Sequence, residues 1–277
     1  MSTKPLHHLR TANMDWVSDP NIPGFKRKLL NYDDENGSLV QLWFVPPGWG
    51  EEVLGGKPHR HYHKSVVERG FHLHGDFPHW EFAGIDDIKG DCVILRKDHF
   101  LDRPPGSLHG LYPEPKSQTG AVTLYWNSGP GTNMLEPEYP DETVDVPFTS
   151  ASDVGRSNFP TCNISDVSDI SWLCHPNVSG WKYKNIGPAH NGTNPAYLVH
   201  VPAGWKPKNN YTARVQNQTK SWLFAISGDL SLEFDDRAIL LRESDYLYWE
   251  EPKTPSLENA PTSKVGFVAL CVGHMLI

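Results

Sequence analysis

Short stretches in which apolar and polar residues alternate run along much of the chain. VQLWFV at 40–45, AYLVHV at 196–201, SWLFAISG at 221–228 and LSLEF at 230–234 all show the two-residue period of strands with one buried face. Clusters of Gly, Pro, Asn and Asp separate them. With 24 prolines and 23 glycines the chain is punctuated too often for helices longer than about two turns. The pattern predicts an all-β protein.

The pattern occurs twice. A shift of 156 residues superposes DWVSDPNIPGFKRKLL on SWLCHPNVSGWKYKNI and WFVPPGWG on VHVPAGWK without a gap. Trp16 then meets Trp172, Pro20 meets Pro176, Gly24 meets Gly180, and Gly48-Trp49 meets Gly204-Trp205. Further on, Gly75-Asp76 pairs with Gly228-Asp229, and CVILRKDHFL with AILLRESDYL, at slightly different shifts. A repeat of this length predicts two copies of one domain, each a double-sheet jelly-roll barrel. The expected organisation is a polar arm at 1–14, a first barrel at 15–128, an ordered crossover at 129–160 and a second barrel at 161–277.

Composition narrows the function. Hydrophobic residues make up 38% and charged residues 21% of 277 positions, which excludes a disordered chain. A net charge of -8 and no lysine or arginine run give no field for nucleic acid or an anionic membrane surface. Residues 1–14 lack the apolar core of a signal peptide and no segment reads as a membrane span, so a cytoplasmic location is expected. Cys92, Cys162, Cys174 and Cys271 form no CxxC pair and read as free thiols. The expected partner is a small-molecule substrate, with a homodimer left open.

Chemistry concentrates in Gly55–Gly75, GGKPHRHYHKSVVERGFHLHG, which holds five of the fourteen histidines. His61 and His63 alternate, so a strand sends both rings to one face. Glu68 follows after a length of chain sufficient to turn and bring its carboxylate to them. His109, in DRPPGSLHG, sits behind two prolines and a glycine that stiffen its approach. Three imidazoles and one carboxylate suit Fe(II), Mn, Ni, Cu or Zn better than Mg or Ca. The competing reading is a solvated histidine cluster. For His59, His72, His74 and His79 packing is the simpler reading, although His72 shares strand parity with Glu68 and so can face the same cavity.

The spacing Gly55, five residues, His61, one residue, His63, four residues, Glu68, six residues, Gly75 resembles the first cupin motif. Pro104, Gly106 and His109 match the second, with Asp98 in place of its leading glycine and Pro113 in place of its closing asparagine. The whole chain resembles the bicupin group of the cupin superfamily. In the second copy the equivalent positions are Arg214, Gln216 and Ser221, and the counterpart of His109 falls near Pro255. The resemblance therefore implies one divalent transition metal per chain, Fe(II) favoured over Mn, Ni or Zn, in the first barrel. A metal-free binding site on Arg214 and Gln216 is the alternative for the second.

The activity implied first is an Fe(II) dioxygenase acting on a small enol, diketone or phenolic substrate, within a wall of Trp43, Trp80, Tyr125 and Trp126. A metal-dependent lyase, isomerase or hydrolase acting on a small carbonyl or carboxylate compound is the second, with Tyr62, His72 and Tyr125 as candidate bases. A non-enzymatic metal or ligand-binding cupin is the third.

Overall fold

A computed structural model of the chain describes residues 6–20, 22–50, 59–112, 114–129, 143–145, 159–176, 178–189, 193–206, 220–234, 237–250 and 263–273. The strands are β1 (His7–Arg10), β2 (Val17–Ser18), β3 (Lys26–Tyr32), β4 (Leu39–Val45), β5 (His59–His63), β6 (Glu68–Glu81), β7 (Asp91–Arg96), β8 (His99–Arg103), β9 (His109–Leu111), β10 (Ala121–Asn127), β11 (Thr143–Asp145) and β12 (Asn163–Asp166). They continue with β13 (Leu173–Cys174), β14 (Lys182–Gly187), β15 (Ala196–Val201), β16 (Ser221–Phe234), β17 (Arg237–Arg242), β18 (Asp245–Trp249) and β19 (Phe267–Val272). Among the described residues the only helices are two single 3-10 turns, Thr11–Asn13 and Val167–Asp169. None is long and apolar enough to cross a membrane.

The alternating stretches become strands, and the two copies become two jelly-roll barrels. One sheet joins β2–β12 and the other joins β1 with β13–β19. The long strand of each copy, β6 or β16, bends at a glycine, and its two halves serve different neighbours. The first half of β6 pairs with β10 and β8, the second with β7 and β9.

The repeat residues matched in the sequence have local causes. Gly75 has φ +80°, and a Cβ on it would stand 1.8 Å from the Gly120 carbonyl oxygen. Gly228 has φ +82° and would place a Cβ 1.8 Å from the Gly266 carbonyl oxygen. Only glycine serves at such a bend. The aspartate after each accepts from the opposing loop: Asp76 from the Gln118 and Thr119 amides, Asp229 from the Lys264 and Val265 amides. Likewise Trp49 Nε1 donates to the Pro23 carbonyl at 3.1 Å, and Trp205 Nε1 to the Ser179 carbonyl at 2.9 Å.

The domain boundaries differ from expectation. The chain forms two compact units, 15–167 and 1–14 with 168–277. The supposed amino-terminal arm contains β1, which pairs with β18 in the register His7↔Tyr248 to Arg10↔Asp245. Its repeat equivalent, β12, pairs with β8 in the register Asn163↔Asp102 to Asp166↔His99, so 161–167 belong with the first barrel rather than the second. Each copy thus gives its leading strand to the other copy's unit. Local periodicity specifies a strand but not its distant partner. Within the expected crossover, Thr143–Asp145 pairs with His63–His61 of β5, and positions 130–142 and 146–158 lie outside the described residues.

The two interiors contrast. In the second unit Val199, Leu223, Leu232, Phe234, Leu247, Trp249 and Ala269 belong to one continuous buried apolar cluster. In the first, smaller apolar clusters flank a polar centre.

Gly228→Ala should lower unfolding free energy by about 3 kcal/mol, since it combines a left-handed φ with a backbone clash. Gly204→Ala, at φ +70° but with nothing within 4 Å of its Cβ, should cost only about 1 kcal/mol. Urea unfolding of the two variants checks the difference; equal losses would contradict this account of the bend.

Candidate metal centre

Strand alternation decides which residues of HRHYH face the centre. His61 and His63 project together, while Tyr62 between them packs with Trp80, Phe82 and Leu108. Strand β5 pairs with β9 so that His61 stands opposite His109, with ring centroids 4.3 Å apart. The His63 ring lies 5.1 Å from His61 and 5.4 Å from His109. One ring nitrogen from each of the three lies within 4.8 Å of the others. The Pro-Pro-Gly turn is tied down by the Gly106 amide, which donates to the His63 carbonyl at 2.7 Å. His109 Nδ1 lies 3.0 Å from the Ser107 carbonyl, which can only accept. The proton is therefore assigned to Nδ1, and Nε2 turns a lone pair to the cluster.

Glu68 opens β6 and enters the same space. Its Oε1 is 3.2 Å from His63 Nε2 and its Oε2 3.3 Å from His109 Nε2. Two further groups fix the carboxylate: Arg103 Nη1 donates to Oε2 at 2.8 Å, and the Tyr125 hydroxyl donates to Oε1. Arg103 arrives because β8 pairs with β6 in the register Glu68↔Arg103. Burial alone would raise the Glu68 carboxyl, but His63, His109 and Arg103 outweigh it and hold it well below the usual carboxylate range. Burial, then Arg103 and His61, push His109 well below its usual value, so the imidazole is neutral. Burial, then Glu68, raise Tyr125, which keeps its proton as a donor.

Arg103 also reaches outward from this cluster. Its Nη2 lies 2.5 Å from Glu81 Oε1 and 2.6 Å from His79 Nε2, and those two side chains are 3.2 Å apart. Glu81 stands opposite His109 in the β6–β9 register. Cys162 hydrogen-bonds to Glu81, and burial keeps its thiol protonated. A cavity of about 50 Å³ adjoins Arg103 and Tyr125, with His72, His99 and Thr123 on its polar side and Trp43 and Phe77 on its apolar side. Its size allows about four water-sized groups. His72 Nδ1 lies 2.8 Å from Thr123 Oγ1. Trp43 stacks on Tyr125 with centroids 3.9 Å apart, which holds the phenol in place.

The three imidazoles form a group that could hold a metal ion, with their nitrogens within 4.8 Å of one another and the Glu68 carboxylate against two of them. Donors about 2.1 Å from a common ion stand about 3.0–3.4 Å apart, the range seen between Glu68 and two imidazoles. His109, neutral and with its tautomer fixed by the Ser107 carbonyl, is in the protonation state a metal needs.

Of the residues singled out from the sequence, His61, His63, Glu68, His109 and Tyr125 are brought together, and His72 lines the adjoining cavity. Tyr62 is a correction: as the residue between two inward histidines it faces the other way and packs on the Phe159 ring. Tyr125 is present in another capacity, as donor to Glu68 rather than base. Trp43 lines the cavity, but Trp80 packs with Tyr62 and Trp126 against Phe100. His74 is exposed, and the side chain of His59 lies outside the described residues. Arg103, His79 and Glu81 were missed as site residues. The available signal was parity, since Arg103 follows Leu101 by two and His79 and Glu81 alternate, so each strand carries charge or imidazole at an inward position.

Among the described residues no second cluster of this kind occurs. Aligning Gly75-Asp76 with Gly228-Asp229 replaces His72, His79 and Glu81 by Ala225, Leu232 and Phe234. The CVILRKDHFL match replaces Arg103 by Trp249. All four replacements belong to the apolar cluster of the second unit. Arg214, Gln216 and Pro255 lie outside the described residues.

No protein-family model matches the chain, and no curated protein matches it. Solved structures do. Protein Ylba from E. coli is 11% identical, with a TM-score of 0.59 over 97% of this chain and 90% of that one. A protein described as glyoxylate-induced, from Pseudomonas aeruginosa, is 10% identical, with a TM-score of 0.62 over 100% and 90%. Oxalate decarboxylase from Bacillus subtilis is 12% identical, with a TM-score of 0.58 over 99% and 76%. The likeness is one of fold: two tandem jelly-roll barrels.

Burial, then the His99 charge, lower His72 to about 4 from an ordinary histidine value near 6.5. As pH falls through 6.5 the unfolded chain takes up a proton that the folded chain refuses until about 4. His72 therefore contributes a loss of about 3 kcal/mol between those limits and none below them. His72→Ala should flatten the fall in urea-unfolding stability of metal-free protein between pH 7 and 4.5 by about that amount. Parallel curves for the two proteins would contradict the assignment.

Proposed function

We propose that the chain is a metal-dependent enzyme that moves a proton on a small carbonyl or carboxylate compound, as a lyase, isomerase or hydrolase. One divalent transition ion would be held by His61, His63, Glu68 and His109. The observation that carries the reading is the coexistence of two buried carboxylates with separate surroundings: Glu68 among the imidazoles, and Glu81 paired with His79 one residue further out. A site that only held a metal would have no use for the second pair.

When bound, the ion supplies a Lewis acid able to polarise a carbonyl. Arg103 and Tyr125 keep Glu68 ionised and oriented. Glu81, which burial alone would raise, is held below its usual value by Arg103 and His79 and is thus an ionised base. His79, lowered first by burial and then by Arg103, is neutral and can take the proton on from Glu81 or return it. Trp43 and Phe77 give the cavity its apolar lining. The Glu81–His79 pair favours the non-oxidative reading, and the Fe(II) dioxygenase on the same ligands is the reading it competes with.

Elemental analysis of protein purified without chelators should give about one transition ion per chain. His61→Ala or His63→Ala should lower metal affinity at least tenfold. Glu81→Gln should keep the metal and lower kcat by about 10²–10⁴. Turnover of carbonyl substrates should survive strict anaerobiosis; oxygen uptake matching product formation would restore the dioxygenase, and metal-free protein with full turnover would remove the metal from the chemistry.

A further inference from the structure

The two copies of the barrel provide an internal comparison. The second unit shows that this fold closes around an apolar interior in which Ala225, Leu232, Phe234 and Trp249 fill the positions of His72, His79, Glu81 and Arg103. The polar residues of the first barrel are therefore not demanded by the fold. They are retained although buried polar groups cost stability unless satisfied.

Their charges do not balance. Arg103 is bonded to both Glu68 and Glu81, so in this cluster two carboxylates face one guanidinium, an excess of one negative charge. The buried pair Arg69–Asp102 is separately neutral. A dication on Glu68 and the three imidazoles turns the sum from minus one to plus one, and one monoanion closes the balance.

The adjoining cavity has donors for such an anion. Arg103 Nε and His72 Nε2 are buried and have no hydrogen-bond partner among the described residues, and both residues line the cavity. The other two nitrogens of Arg103 are taken by Glu68, Glu81 and His79. In the tautomer in which Thr123 Oγ1 donates to His72 Nδ1, Nε2 carries the proton and is the donor that the proposal uses. His72 is 1% exposed, so its Nε2 can meet an acceptor only inside this cavity.

We propose that this cavity is the subsite for the carboxylate of a small monoanionic substrate, accepting from Arg103 Nε and His72 Nε2. The proposal rests on the metal reading above, since the ion sets the sign of the interior. It narrows the substrate class from carbonyl and carboxylate compounds in general to small monocarboxylates whose carboxylate end fits a cavity of about 50 Å³. Neutral amides lack the charge, and dicarboxylates overshoot it.

The test is calorimetric titration of the zinc-loaded full chain with pyruvate, its neutral analogue pyruvamide, and the dianion malonate, with zinc content measured on each sample. Pyruvate should bind at least tenfold more tightly than either of the others, and zinc-free protein should not bind it. His72→Ala, which copies the second barrel and touches none of the proposed ligands, should keep its zinc and lose at least tenfold in pyruvate affinity. Zinc retained with equal or tighter binding of pyruvamide or malonate, or with unchanged affinity in His72→Ala, overturns the subsite alone. Failure to take up zinc overturns the metal reading and the subsite with it.

Discussion

Glu68 is a carboxylate buried to 4% exposure in the middle of a barrel, and the first unit is arranged to make that tolerable. An isolated buried charge would cost far more than a domain's net stability. Here it is met by an arginine from β8, a phenol from β10 and imidazoles from β5 and β9. Four strands widely separated in the chain therefore have to be in register for one side chain to be satisfied. The bend at Gly75, the tether from Gly106 to the His63 carbonyl and the stacking of Trp43 on Tyr125 all serve that register. In the second barrel, where Ser221 stands in for Glu68, packing alone suffices.

The contrast between the copies separates what folds the chain from what it does. The Gly-Asp bend, the Gly-Trp contact and the exchanged leading strand recur in both and are the framework. The inward histidines, acids and arginine occur in one. A dry interior is the simpler way to stabilise a jelly roll, and the second copy takes it. The first gives up part of that burial for a network whose members hold one another ionised or neutral, in the states that the proposed metal binding and proton transfer would use.

Much of this was legible beforehand, for physical reasons. Strand alternation puts His61 and His63 on one face and Tyr62 on the other, where it packs among apolar side chains and cannot serve as a base at the centre. The repeat was legible because tight bends admit only glycine and leave a fixed pattern. Arg103, His79 and Glu81 were harder, because their meeting depends on pairings of β6 with β8 and β9, between residues 22 to 35 positions apart. The exchange of β1 and β12 was hidden for the same reason at greater range. Short polar strands look alike whichever sheet they join.

The proposed ligands of one ion are His61, His63, Glu68 and His109. X-ray absorption of the metal-loaded chain tests this set most directly, because it counts donors without assuming a reaction. The account predicts three imidazole nitrogens and a carboxylate oxygen at about 2.0–2.2 Å, with Glu68→Gln losing the carboxylate contribution and keeping the imidazoles. A shell without imidazole, or one unchanged in Glu68→Gln, would contradict it.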